Sequence, residues 1–165
     1  MPAASVLDAL NYHRETLAQQ GMGVLGLWAL LNLVVSGWLV ARVPRRQEPY
    51  YFHQMNVGWA MVNVTLAVLG ILRARPLHVA GLSLADSLAA QSSFESILLV
   101  NVGLDVAYVV TGAWLRARAI QAEHPNRLLG FGRSLWVQGG FLFVFDAALY
   151  FVYHRYAAEL LALVP

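Results

Sequence analysis

VNVGLDVAYVVTG, residues 100–112, has the apolar density of a membrane-crossing helix, yet it carries Asn101, Asp105 and Tyr108 with no Lys or Arg among them. At 3.6 residues per turn these three side chains and Gly112 fall on one face. A carboxyl group halfway along a greasy helix needs a reason. At the centre of a span an Asp costs about 2.5–3.5 kcal/mol, whereas each Leu, Ile, Phe or Val returns only about 0.3–0.6 kcal/mol.

The surrounding chain has the same character. Of 165 residues, 59% are apolar and 12% are charged, and the mean hydropathy is +0.56, too apolar for an ordinary soluble domain. A bilayer core takes about 20 apolar residues per helix, and four runs meet that length: 22–41, 52–72, 96–115 and 135–154. Residues 1–165 therefore read as one all-α domain, an integral membrane bundle of four transmembrane helices with short interfacial helices. One such helix is expected in the first twenty residues, where Val6, Leu10 and Leu17 share a side. Another is expected after the second span, opened by Ser83 with Asp86 three residues on; Ser92 with Glu95 would cap the third span. The N-terminus has neither the cationic start nor the cleavage site of a signal peptide, so the first span is expected to be retained.

The basic charge comes from eleven Arg and no Lys. These arginines border the apolar runs and form no stripe interleaved with aromatics, which argues against nucleic acid as a partner. Arg42, Arg45, Arg46, Arg116, Arg118, Arg127 and Arg133 share one side; Arg14, Arg73, Arg75 and Arg155 fall on the other. That bias favours both short loops inside and both termini outside, periplasmic in a bacterial cell. No Arg or Lys lies deep in any of the four runs.

Each run has a polar residue near its centre: Asn32, Asn63, Asp105 and Asp146. Around them lie stripes at helical spacing, Asn32 with Ser36, His53 with Asn56 and Asn63, Asn101 with Asp105 and Tyr108, and Gln138 with Asp146. If the stripes face one another they form one midplane pocket of Asp105, Asp146, Asn63, Asn101, Tyr108, Gln138, Asn56, His53 and Asn32. With no basic neighbour, at least one of the two acids is expected to hold a proton at neutral pH.

Two readings of that cluster follow. In one, the cluster binds a proton, a cation or a small polar ligand, with transport as the activity, since intramembrane ionisable groups are site candidates. In the other, Asp105 is a neutral hydrogen-bonding group tying helices together through Asn63, Asn101 and Gln138, and the protein is a non-catalytic accessory or assembly subunit of a larger membrane complex. Its partners are then the lipid bilayer and either further copies of itself or that complex. Four helices make a thin wall for a pathway, so transport favours a homo-oligomer. Catalysis finds little support: the chain has no HExxH, nucleophile elbow or Gly-Lys phosphate loop. An Asp–His pair acting on lipid would need groups that the sequence sets at different depths. No cysteine is present, which excludes disulfides and thiolate metal sites, and nothing calls for a metal or cofactor.

One internal echo exists, VVSGWLVAR at 34–42 against VVTGAWLRAR at 109–118, as two duplicated helical hairpins would leave. Taken together, FHQMNVGWAMVN at 52–63, VNVGLDVAYVVTG at 100–112 and GFGRSLWVQGGFLFVFD at 130–146 resemble an uncharacterised family of small bacterial four-helix membrane proteins. The similarity runs from about the first span to the last. It implies a bacterial inner-membrane four-helix protein and assigns no activity and no site residue.

Overall fold

The computed structural model describes residues 2–164, with side chains from residue 6 onward. Four long helices make up nearly all of it: α1 Pro2–Val40, α2 Glu48–Arg73, α3 Leu84–Arg118 and α4 Pro125–Leu161, with 3-10 turns at Pro76–His78 and Ala119–Gln121. No strand occurs among the described residues. Each helix is long and apolar enough to cross a membrane.

The helix starts follow from local chemistry. Ser83 Oγ accepts from the Asp86 backbone N–H at 3.1 Å and donates to the Asp86 carboxylate at 2.6 Å, which satisfies an orphan donor and sets an acid in the first turn of α3. Proline stands in the first turn of α2 and of α4, where its missing N–H has no bond to lose.

Two sequence expectations change here. The N-terminal segment is not a separate interfacial helix but the first five turns of α1, which runs unbroken for 39 residues, about 58 Å at 1.5 Å per residue. The helix opened by Ser83 likewise continues into the third span, so Ser92 and Glu95 lie inside α3 instead of capping it. Apolar periodicity falls off in both segments. The backbone ladder, once nucleated, propagates through them, and packing against neighbours holds it.

The bundle is two antiparallel hairpins, α1 with α2 and α3 with α4, joined chiefly along α2 and α4. The α3–α4 seam is tight because glycine lets the backbones meet. A Cβ on Gly112 would lie 2.7 Å from the Gly132 carbonyl oxygen, and one on Gly132 would lie 2.6 Å from that of Gly112. Gly130 brings α4 onto α2 in the same way, its would-be Cβ 2.5 Å from the Glu48 carbonyl oxygen. The echo between the hairpins does not extend to packing: Gly37, the counterpart of Gly112, has open space where its Cβ would be. Between α2 and α3 there is no such seam. They meet through the edge-on rings of Trp59 and Tyr108, 4.7 Å apart, and are otherwise held apart.

Burial departs from that of a water-soluble protein, with many polar residues inside beside the apolar core and a largely apolar surface. Asn11, Arg14, Asn56, Asn63, Gln91, Asp105, Gln138 and Asp146 are buried, while Val34, Val110, Val144 and Phe151 are each more than 60% exposed.

Candidate functional site

The buried polar residues resolve into three groups, and the nine expected in a single pocket are divided between two of them. The first is a closed chain among α1, α2 and α4. Trp28 Nε1 donates to Gln138 Oε1 at 3.0 Å, and Gln138 Nε2 donates to Asn32 Oδ1 at 3.0 Å and to Asn56 Oδ1 at 3.1 Å. Ser134 Oγ donates to the same Asn56 oxygen at 2.6 Å, and Asn32 Nδ2 returns to the Trp28 carbonyl at 2.9 Å. No buried side-chain atom in this chain lacks a partner. One turn beyond it, His53 Nδ1 pairs with Ser36 Oγ at 3.1 Å, so His53 is a helix-to-helix contact of α1 and α2.

The second group lines a cavity of about 680 Å³ between α2 and α3, floored by α1 and α4. Asn63, Asn101, Asp105, Tyr108 and Asp146 all border it, together with Trp59. Gly139 positions the acids: a Cβ there would lie 3.1 Å from the Asp105 carbonyl oxygen, so α4 sits close against this turn of α3. Side chains lean towards the N-terminus of their own helix. In this antiparallel pair Asp105 and Asp146 therefore lean towards each other on the wall of the cavity. Asp105 is 2% and Asp146 6% exposed, and no cation pairs with either in the described residues.

In contrast to the first group, this one is unsatisfied. Trp59 Nε1, Asn63 Nδ2 and Asp105 Oδ2 are buried without a partner. Each such orphan costs about 1–3 kcal/mol, and all three stand at the same end of one cavity.

The third group was not expected from sequence. Arg14, 1% exposed, donates to the Ser87 carbonyl at 2.6 Å and pairs with Glu15 at 3.3 Å. Asn11 Nδ2 donates to Ser87 Oγ at 2.9 Å, and Gln91 Nε2 donates to the Tyr153 carbonyl at 3.0 Å. Arg14 is thus a buried cation outside the four apolar runs, in the part of α1 that precedes residue 22. It serves the far end of the bundle: Glu15, Arg73 and Tyr153 border the cavity there, and the two aspartates border its other end.

Trp59 is the residue of the cavity that sequence reasoning passed over. Its signal was present: it precedes Asn63 by four residues and so shares its face. Among the described residues no three His, Asp or Glu side chains gather in a way that could hold a metal ion. The chemistry available is hydrogen bonding and proton or cation binding by two neighbouring carboxyls.

A family model, described as a family of unknown function, DUF6992, matches residues 24–147. The chain belongs to that family. The DUF6992 segment takes in the whole closed chain and, at the acid end of the cavity, Trp59, Asn63, Asn101, Asp105, Tyr108 and Asp146; Asn11, Arg14 and Glu15 lie outside it. No curated protein and no solved structure matches the chain.

Proposed function

We propose that the protein is an integral membrane protein that binds a proton, a cation or a small polar ligand in the cavity between α2 and α3, in the course of transport. The observation that carries this reading is the pair Asp105–Asp146, without a basic partner, beside orphaned polar atoms on the wall of an open cavity. Ionised carboxylates only accept hydrogen bonds. Two of them on the wall of one cavity in an apolar bundle are stable when a proton or cation neutralises them. Trp59, Asn63, Asn101 and Tyr108 supply donors and acceptors that would orient a ligand.

The apolar surface supports membrane insertion, with exposed leucines and valines meeting acyl chains. Orientation rests on the arginines. With Arg14 buried, the balance is six exposed arginines and the half-buried Arg116 on the side of the two short loops against Arg73, Arg75 and Arg155 on the other. This balance supports a reading with the loops inside and the termini outside in a bacterial inner membrane.

The test is flux through reconstituted vesicles. Wild-type protein is expected to dissipate an imposed proton or sodium gradient, and Asp105→Asn with Asp146→Asn to stop it while leaving thermal unfolding nearly unchanged. Equal flux in wild type and double variant would end the proposal. The open α2–α3 seam also favours a second reading, an accessory subunit onto which a helix of a larger membrane complex docks. Purification of the wild type within such a complex, with no flux of its own, would select that reading.

A further inference from the structure

The two ends of the α2–α3 cavity differ in chemistry, and its middle differs from both. At the inner end, Trp59 Nε1 and Asn63 Nδ2 lack an acceptor, and Asp105 Oδ2 lacks a donor. Asn63 and Asp105 are each 2% exposed, so surface water does not serve them. Along the middle the lining is apolar, from Met22, Leu66, Leu69, Phe94, Ile97 and Leu98. Leu66, Leu69 and Ile97 are each about half exposed at the rim, so the cleft opens sideways through aliphatic side chains. Glu15 and Arg73 close the far end. On α3 the lining runs from Ala90 to Tyr108, about 27 Å at 1.5 Å per residue. The volume of about 680 Å³ falls within the range of ligand sites, about 300–1,000 Å³.

We propose that this cavity takes a single-chain amphiphile with an uncharged, hydroxyl-bearing head, the head at Trp59, Asn63 and Asp105 and the chain running along α2 and α3 towards Arg73. The proposal rests on the membrane-site reading above and names its ligand class. With the Trp59 and Asn63 side chains turned into the cavity, a hydroxyl oxygen accepts from both donors while its hydrogen goes to Asp105, so one small group answers all three orphaned atoms. A quaternary ammonium head carries neither donor nor acceptor and leaves Trp59 and Asn63 unserved. A phosphate head cannot leave the interface for the depth of Asp105 without a large desolvation cost, so an ordinary phospholipid could enter only tail first. An apolar rim admits a ligand dissolved in the acyl chains.

The probe is a dodecanol bearing a photoreactive diazirine beside the hydroxyl, added to protein in phosphatidylcholine vesicles, with cross-linked peptides located by mass spectrometry. Label is expected on the peptides holding Trp59–Asn63 and Asn101–Tyr108. Unlabelled dodecanol should compete, and dodecane and dodecyltrimethylammonium should not. Asn63→Leu should weaken competition about tenfold, the worth of one lost buried hydrogen bond. Leu66→Trp, a change at an exposed rim position, should block labelling without disturbing the interior. Competition by dodecyltrimethylammonium together with loss of labelling in Asp105→Asn would overturn the hydroxyl head while leaving the cation-binding reading intact. Equal competition by dodecane, or equal labelling from a diazirine at the tail end of phosphatidylcholine, would reduce the cavity to lipid filling. If the aspartate variants also leave gradient flux unchanged, both readings fall together.

Discussion

Asn56 and Asn63 stand seven residues apart on α2, point into the same bundle and are equally buried, at 2% exposure. Asn56 Oδ1 accepts from both Ser134 and Gln138. Asn63 Nδ2 donates to nothing. One residue type on one face of one helix thus serves two purposes, and saturation separates them. A polar group whose bonds are all made ties helices together, and its removal costs stability. A polar group left open beside a cavity is a standing cost to the fold, and its removal costs binding. Hence the closed chain around Gln138 is read as structure and the cavity around Asp105 as the site.

The largest expected effect breaks both regions at once. Gly132 faces the Gly112 backbone at a distance no side chain fits, and the α3–α4 seam holds Gln138 and Asp105 in place. Gly132→Leu is expected to cost more than about 4 kcal/mol and yield no folded bundle, read as loss of a monodisperse species in detergent. A folded variant would show that the seam is not what sets the geometry of either region.

Next comes Gln138→Leu, which strips the donor Trp28 Nε1 and the acceptor Asn32 Oδ1 of their partner and takes one of two donors from Asn56. A loss of about 2–4 kcal/mol is expected, measured by denaturant unfolding in micelles. Asn56→Leu should cost about 1–3 kcal/mol by orphaning the Ser134 hydroxyl. Asp146→Asn belongs to the other region. The amide can donate to Asp105 without a shared proton, so stability should stay within about 1 kcal/mol of wild type while gradient flux is lost. A fall as large as that of Gln138→Leu would make the acid pair structural after all.

The sequence carried the four long apolar helices and their order, because span length and apolar density are local properties; it did not carry that the segments before residue 22 and after Ser83 run unbroken into α1 and α3. It also carried the acid end of the cavity, since Asn101, Asp105 and Tyr108 share a face by periodicity alone. It could not say which helices touch. A polar stripe on each of four helices is compatible with one central pocket, and only the packing shows that Gly112, Gly130, Gly132 and Gly139 draw α4 against α2 and α3 while α2 and α3 stay apart. That asymmetry sends Asn32, Asn56, His53 and Gln138 away from the aspartates. Arg14 was illegible for a related reason: its acceptor, the carbonyl of Ser87, lies 73 residues away, and the segment around it has the composition of a surface helix.

The smallest expected effect is the sharpest test of the comparison. Asn63→Leu keeps the branching and the number of heavy atoms of the side chain and removes a buried donor that has no acceptor. Replacing an unpaired polar group with an apolar one of similar shape is close to neutral and can stabilise, so the unfolding free energy should shift by no more than about 0.5 kcal/mol, against the loss of about 1–3 kcal/mol expected for Asn56→Leu one heptad away. The two variants carry the same chemical change on the same helix at the same burial, so helix propensity and lipid exposure cancel between them. What remains is the difference in partners. Equal destabilisation by both would mean that Asn63 is bonded within the bundle and that the cavity wall is as saturated as the chain around Gln138; a neutral Asn63→Leu that still loses the photoprobe would tie the open bond to binding.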